Sequence, residues 1–180
     1  MNKIFKDEED YEYFESLLMR TFAPEAVTDG RGRPYKNLYS EAHLNAYCLM
    51  GNHFHILVYQ IDEKGLSKAM KSITTAYSMY FNKKYKQRGA VFESIYKSVP
   101  IISDEQLMHI TRYIHLNHRD FKDWPRSSYK DYINDRCRSW IDSRPILELF
   151  HDAIQYKEFV SDYESMQRNL DEIKHQLANS

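Results

Sequence analysis

Two histidines one residue apart, His53 and His55, interrupt an otherwise apolar run, AYCLMGNHFHILVYQ, at residues 46–60. Imidazole titrates near neutral pH and ligates borderline metal ions, so a pair held on one face can serve acid–base or metal chemistry. Alone the pair means little, because a motif this short often arises by chance. A second set of reactive groups lies in HITRYIHLNH, residues 109–118. On a helix, His109, Tyr113 and Asn117 stand four apart and share a stripe distinct from Leu107, Ile110 and Ile114. A phenol that can act as nucleophile is thus presented with a carboxamide that can hold a cation or a hydrogen bond.

Rigid elements must position these groups. Gly51-Asn52 is a turn signal between strands expected at 43–50 and 53–60. Strand alternation puts Phe54, Ile56 and Val58 on one face and His53, His55, Leu57 and Tyr59 on the other. Asp7 to Phe22 reads as a helix with an acidic first turn and an apolar stripe of Tyr11, Phe14, Leu17 and Leu18. Leu66 to Tyr85 reads as a second helix, carrying Met70, Ile73, Tyr77, Tyr80 and Phe81 on one side. Val91 to Ile102, rich in β-branched and aromatic residues, is expected as a third strand. Ser103, followed by Asp104, Glu105 and Gln106, caps the helix that carries Tyr113 to about Asn117. DWPRSSYKDY reads as a loop, a helical pair follows from Ser143, and the polar last fifteen residues are expected as a solvated or frayed helix.

A chain of 180 residues with net charge −1 is long enough for one domain with an appended element. It contains no apolar run of membrane-spanning length and no signal-peptide pattern, so the expectation is a cytoplasmic protein with no membrane partner. The two cysteines, Cys48 and Cys137, form neither a disulfide framework nor a zinc pattern. Charge is unevenly spread. Residues 64–100 carry eight basic side chains against one acid, whereas residues 1–15 and 141–180 are both net acidic. A basic surface for phosphates is therefore compatible with a neutral whole, with solvated lysines as the plainer alternative.

Three stretches together resemble one family. YCLMGNHFHILV is similar to the metal-binding strand of the HUH single-tyrosine transposases of insertion-sequence type. GAVFESIYKSVPI resembles the strand after their second helix. LMHITRYIHLNHRDF and WPRSSYKDY resemble their nucleophile helix and the serine-containing stretch beyond it, most closely in the REP-associated tyrosine transposase branch. The resemblance runs in the family's order over about residues 1–165.

It implies an α+β, ferredoxin-like antiparallel sheet with helices on one face, the HUH endonuclease fold, as a catalytic domain at 1–140 with a C-terminal helical extension at 141–180. It implies magnesium or manganese held by His53, His55 and Asn117, with Tyr113 attacking single-stranded DNA to leave a 5′-phosphotyrosine. Lys83, Lys84, Lys86, Arg88, Lys97 and Arg112 are the expected DNA contacts, hairpin-bearing single-stranded DNA the expected substrate, and a homodimer the expected assembly. His109 is a candidate base for Tyr113. His118 stands where relatives carry proline and is a candidate to approach the metal. The family's first strand has no counterpart, since the match begins within the turn that follows it. Three explanations stay open: an upstream start, a strand supplied by another chain, or an inactive descendant that only binds nucleic acid. A metallohydrolase using His53 and His55 to activate water is a further reading, weakened by the lack of an acidic general base near the motif.

Overall fold

The computed structural model describes residues 3–162. Their elements run α1 (Glu8–Phe22), β1 (Ala42–Met50), β2 (His53–Gln60), α2 (Gly65–Lys84), α3 (Asp104–His115), α4 (Tyr129–Tyr132), α5 (Arg144–Leu147) and α6 (Ala153–Ser161). The class is α+β, with a two-stranded antiparallel sheet among the described residues. The polar tail expected as a solvated helix lies, from residue 163 onward, outside them.

The hairpin organises the rest. β1 and β2 pair from Ala42 with Gln60 to Met50 with His53, and a bulge between Leu44 and Ala46 adds one residue to β1. The pleat sends Phe54 toward α1 and α2, where Phe14 lies 4.9 Å from its ring and 5.1 Å from Tyr77. α1 begins where the Asp7 side chain accepts from the Asp10 amide at 3.1 Å, and it buries Phe14, Leu17, Leu18 and Phe22. The opposite face, carrying His53 and His55, receives α3.

The outer edge of β1 is covered by irregular chain: Leu49 N–H donates to Arg126, Ser128 N–H to Tyr47, and Asp142 N–H to Leu44. Arg126 and Arg138 hold this return segment to α1 through Glu15. α5 and α6 then fold back on α3, burying Ile146, Tyr156 and Val160 in the common core.

The third strand expected over Val91 to Ile102 does not form. A strand needs a neighbour to accept and donate its backbone bonds, and the described residues pair nothing with β2 except β1. The segment is instead irregular and mostly exposed, with Ile95 84% accessible; its start packs inward, where Phe92 meets Phe54 and Tyr77, and Ile101 near its end rests partly buried against the core. Propensity alone could not supply the missing ladder.

Candidate active site

β2 fixes the two imidazoles side by side, with ring centroids 5.0 Å apart. Asn52, in the tight turn, lies with its carbonyl oxygen 2.7 Å from His53 Nδ1. When that nitrogen carries the proton, the lone pair of His53 resides on Nε2. His55 is more enclosed. Its Nε2 is buried and has no hydrogen-bond partner among the described residues.

α3 supplies the remaining groups. Ser103 caps it by accepting from the Gln106 amide at 3.2 Å, and Gln106 accepts in turn from the Ile102 amide at 2.9 Å. The helix crosses the hairpin so that the Tyr113 ring meets His55 edge to face, centroids 5.2 Å apart. It ends at His115 with Leu116 as cap, so Asn117 sits just beyond the last turn instead of within it. From there its carboxamide acts on both neighbours, raising the pKa of His53 and lowering that of the Tyr113 hydroxyl. The four groups His53, His55, Tyr113 and Asn117 thus converge as their types and spacing indicate.

The site favours neutral imidazoles. Burial lowers His55 to about 4, with the neighbouring His53 adding to the effect. Burial also lowers His53, partly offset by Asn117. Both rings therefore keep a free lone pair at neutral pH, the form that ligates a cation. Burial raises Tyr113 above the ordinary phenol range, against a smaller lowering by Asn117. Cys48, opposite His55 in the ladder, is pushed up to about 12 by burial and stays a thiol, so it adds no anionic ligand.

The residues fit a hard-to-borderline divalent ion. His55 Nε2, buried and without a hydrogen-bond partner among the described residues, belongs to a ring beside a second imidazole, a neutral nitrogen donor pair that leaves room for phosphate oxygen and water. No cluster of three or more His, Cys, Asp or Glu side chains able to hold a metal occurs among the described residues.

Other expected site residues are placed differently. His118 stacks flat on Trp124, centroids 3.8 Å apart, and accepts from the Asp120 amide, so it does not turn toward the histidine pair. His109 Nδ1 lies 3.0 Å from the Arg112 guanidinium, and its ring lies 5.9 Å from Phe159 of α6. Arg112 itself is 2% exposed, stacked over Phe159 and donating to its carbonyl. As placed it is closed to phosphate, because α6 lands on that flank of α3. Lys84 is drawn into a cluster with Asp7, Glu9 and the buried Asp10 at 2.6–3.0 Å. Lys83, Lys86, Arg88 and Lys97 are exposed.

Sequence reasoning passed over Asn52, read only as a turn residue, and Arg119, exposed two positions beyond Asn117. It also passed over His115, fully buried between Tyr156 (2.6 Å) and Ser128 (2.7 Å), which ties α3 to the return segment. Its signal was present, since His115 falls on the inner side of α3 next to Ile114.

Residues 37–117 match the family model described as "Transposase IS200 like". That span runs from just before β1 to Asn117, so every converging group lies inside it. Over those residues the chain is similar to an IS200-like transposase domain. No curated protein and no solved structure matches it significantly. No helix among the described residues is long and apolar enough to cross a membrane.

Proposed function

We propose that the protein is a metal-dependent single-stranded DNA transesterase that cuts and rejoins strands through Tyr113. The observation that carries this reading is the meeting of the Tyr113 ring with the imidazole whose Nε2 lacks a partner, on a rigid hairpin face. His53, His55 and Asn117 would hold magnesium or manganese. When bound, such an ion supplies Lewis acidity to a phosphate oxygen and favours the phenolate over the phenol.

The chain's own part is positioning. α3 aims the Tyr113 oxygen at the scissile phosphorus, and Asn117 donates to that oxygen, which favours loss of its proton to solvent. Attack forms a bond between the tyrosyl oxygen and phosphorus and breaks the bond to the 3′ oxygen, which leaves as a hydroxyl after taking a proton. The product is a 5′-phosphotyrosine. A second 3′-hydroxyl reverses the step without further energy input, and strands are rejoined. Buried surroundings on both sides of Tyr113 limit water from competing for the adduct.

The substrate is proposed to be single-stranded DNA beside a hairpin, bound by a homodimer in the cytoplasm. The resemblance of the serine-bearing stretch around Ser127 and Ser128 to that of the REP-associated branch supports a reading within that branch. Incubation with a hairpin oligonucleotide and manganese is expected to give a covalent adduct stable to denaturation. Tyr113→Phe is expected to abolish it, a loss of at least about a thousandfold, and His55→Ala to remove the manganese dependence. An adduct surviving Tyr113→Phe would overturn the assignment.

One observation favours a second reading, a noncatalytic DNA-binding descendant: β2 has no partner but β1 among the described residues, and the segment over 91–102 is not a strand. Oligonucleotide binding without any adduct, in the presence of manganese, would select it.

A further inference from the structure

A second cluster of reactive and aromatic side chains lies at the far end of the hairpin, where β1 begins and β2 ends. His43 pairs with Tyr59 in the ladder, and their rings lie 6.3 Å apart on the sheet face that carries His55. Tyr39 stacks on His43, centroids 4.4 Å apart and planes within 27°. Tyr59 is 59% exposed, an unusual position for a large aromatic with no apolar cover. Beside them Arg144, with 75% of its side chain accessible, is gripped by Asp142 at 2.8 and 3.2 Å. A cleft of about 260 Å³ opens between Tyr39, His43, Trp140 and Arg144.

This arrangement is built, not incidental. Asp142 donates its amide to Leu44 at 2.9 Å and accepts at its carbonyl from the Asn45 amide side chain at 2.7 Å. Asn45 is the residue that the bulge inserts, and bulges re-aim neighbouring side chains. The Asp142 carboxylate, 3.5 Å from His43 Nδ1, then holds both the imidazole and the guanidinium in place. The outcome is three neighbouring rings, two of which, Tyr39 and His43, line one cleft with a planar cation. Each ring is sequence-tolerant toward a nucleobase, because every base has a π face.

We propose that Tyr39, His43, Tyr59 and Arg144 form a stacking platform for unpaired bases of the same single strand that Tyr113 attacks. The identity of the strand rests on the transesterase reading; the platform's chemistry does not. Tyr59 stands four residues from His55 on one strand face, roughly 13 Å away at about 3.3 Å per residue. That distance spans about two to four nucleotides, between extended and helically stacked spacing. Because Asp142 neutralises Arg144, the platform holds bases chiefly by stacking, not by neutralising phosphates.

This yields a readout that a lysine contact would not give. Binding of the full chain to a fluorescent mixed-sequence single-stranded oligonucleotide is followed by anisotropy over a range of salt concentrations. Tyr59→Ala is expected to weaken binding by roughly five- to a hundredfold while leaving the slope of log affinity against log salt unchanged, and Tyr59→Phe to restore it. An oligonucleotide of the same length with abasic sites two to four nucleotides from the cleavage point should bind the native chain as weakly as the Tyr59→Ala variant binds the intact strand. The variant should not discriminate between the two. Free deoxynucleoside monophosphate competing as well as the strand would overturn the claim that a strand is the occupant. Affinities within twofold of native for both Tyr59→Ala and Tyr39→Ala, or a loss accompanied by a shallower salt slope, would overturn the platform. The Tyr113 adduct is scored separately, so a missing adduct with this pattern intact tells against the chemistry alone.

Discussion

Asn52 turns the chain and also reaches back to His53, 2.7 Å from its Nδ1. Outer partners of this kind fix the tautomer and orientation of a ligating imidazole, and losing one typically weakens metal binding by about 10- to 100-fold. Asn52→Ala is therefore expected to lower manganese affinity of the full chain by about that factor in calorimetric titration, and Asn52→Asp, which keeps the acceptor, to recover most of it. Unchanged affinity in Asn52→Ala would remove Asn52 from the site. At this scale the sequence was informative where side chains share one element. His53 with His55, and Tyr113 with Asn117, follow from the periods of strand and helix. Arg112 was misjudged because its surroundings belong to another element: nothing within α3 announces that Phe159 will cover it. Lys84 was misjudged similarly, since its acidic partners lie some seventy-five positions earlier in α1 and its cap.

α2 begins at Gly65, where the backbone passes so near β1 that an added Cβ would stand 2.3 Å from the Glu41 carbonyl oxygen. Alanine is the better helix former by about 1 kcal/mol, but overpacking against immobile backbone costs about 1–3 kcal/mol. Packing should win. Gly65→Ala is expected to lower the urea midpoint, corresponding to net destabilisation of up to about 2 kcal/mol, and a raised midpoint would refute the close approach. Both α1 and α3 were legible from their caps, Asp7 and Ser103, because capping is a local transaction between a side chain and the next turn. The hairpin was legible from alternation and its turn. The segment 91–102 was not, because strand formation is a property of a pair, and the partner is not written in the strand.

Across the whole molecule, α3 is locked to the return segment and α6 through one buried group. Burial, with the charge of Arg138 nearby, lowers His115 to about 3, and Tyr132, Tyr129 and Tyr156 surround its ring. An unfolded chain would protonate the same residue near pH 6.5, so between those values the unfolded state binds more protons. Stability contributed by neutral His115 is thus present above about pH 6.5 and lost as pH falls, by up to about 1.4 kcal/mol per unit. His55 acts in the same direction down to about 4. Denaturant midpoints are expected to fall from pH 7.5 to pH 5, and His115→Asn to flatten that dependence; an equally steep fall in the variant would assign the acid sensitivity elsewhere. Charge is also settled at this scale. The acidic N-terminal stretch neutralises part of the basic middle through Lys84, leaving Lys83, Lys86, Arg88 and Lys97 exposed.

The free rim of β2 carries one more consequence. Among the described residues β2 pairs with β1 alone, and Tyr59 and Ile61 at its end are exposed, as are Ile95 and Ile102 in the run after α2. A strand edge without a partner is a template for pairing with a second copy, so self-association that grows with concentration is the expected outcome, read by light scattering over a dilution series.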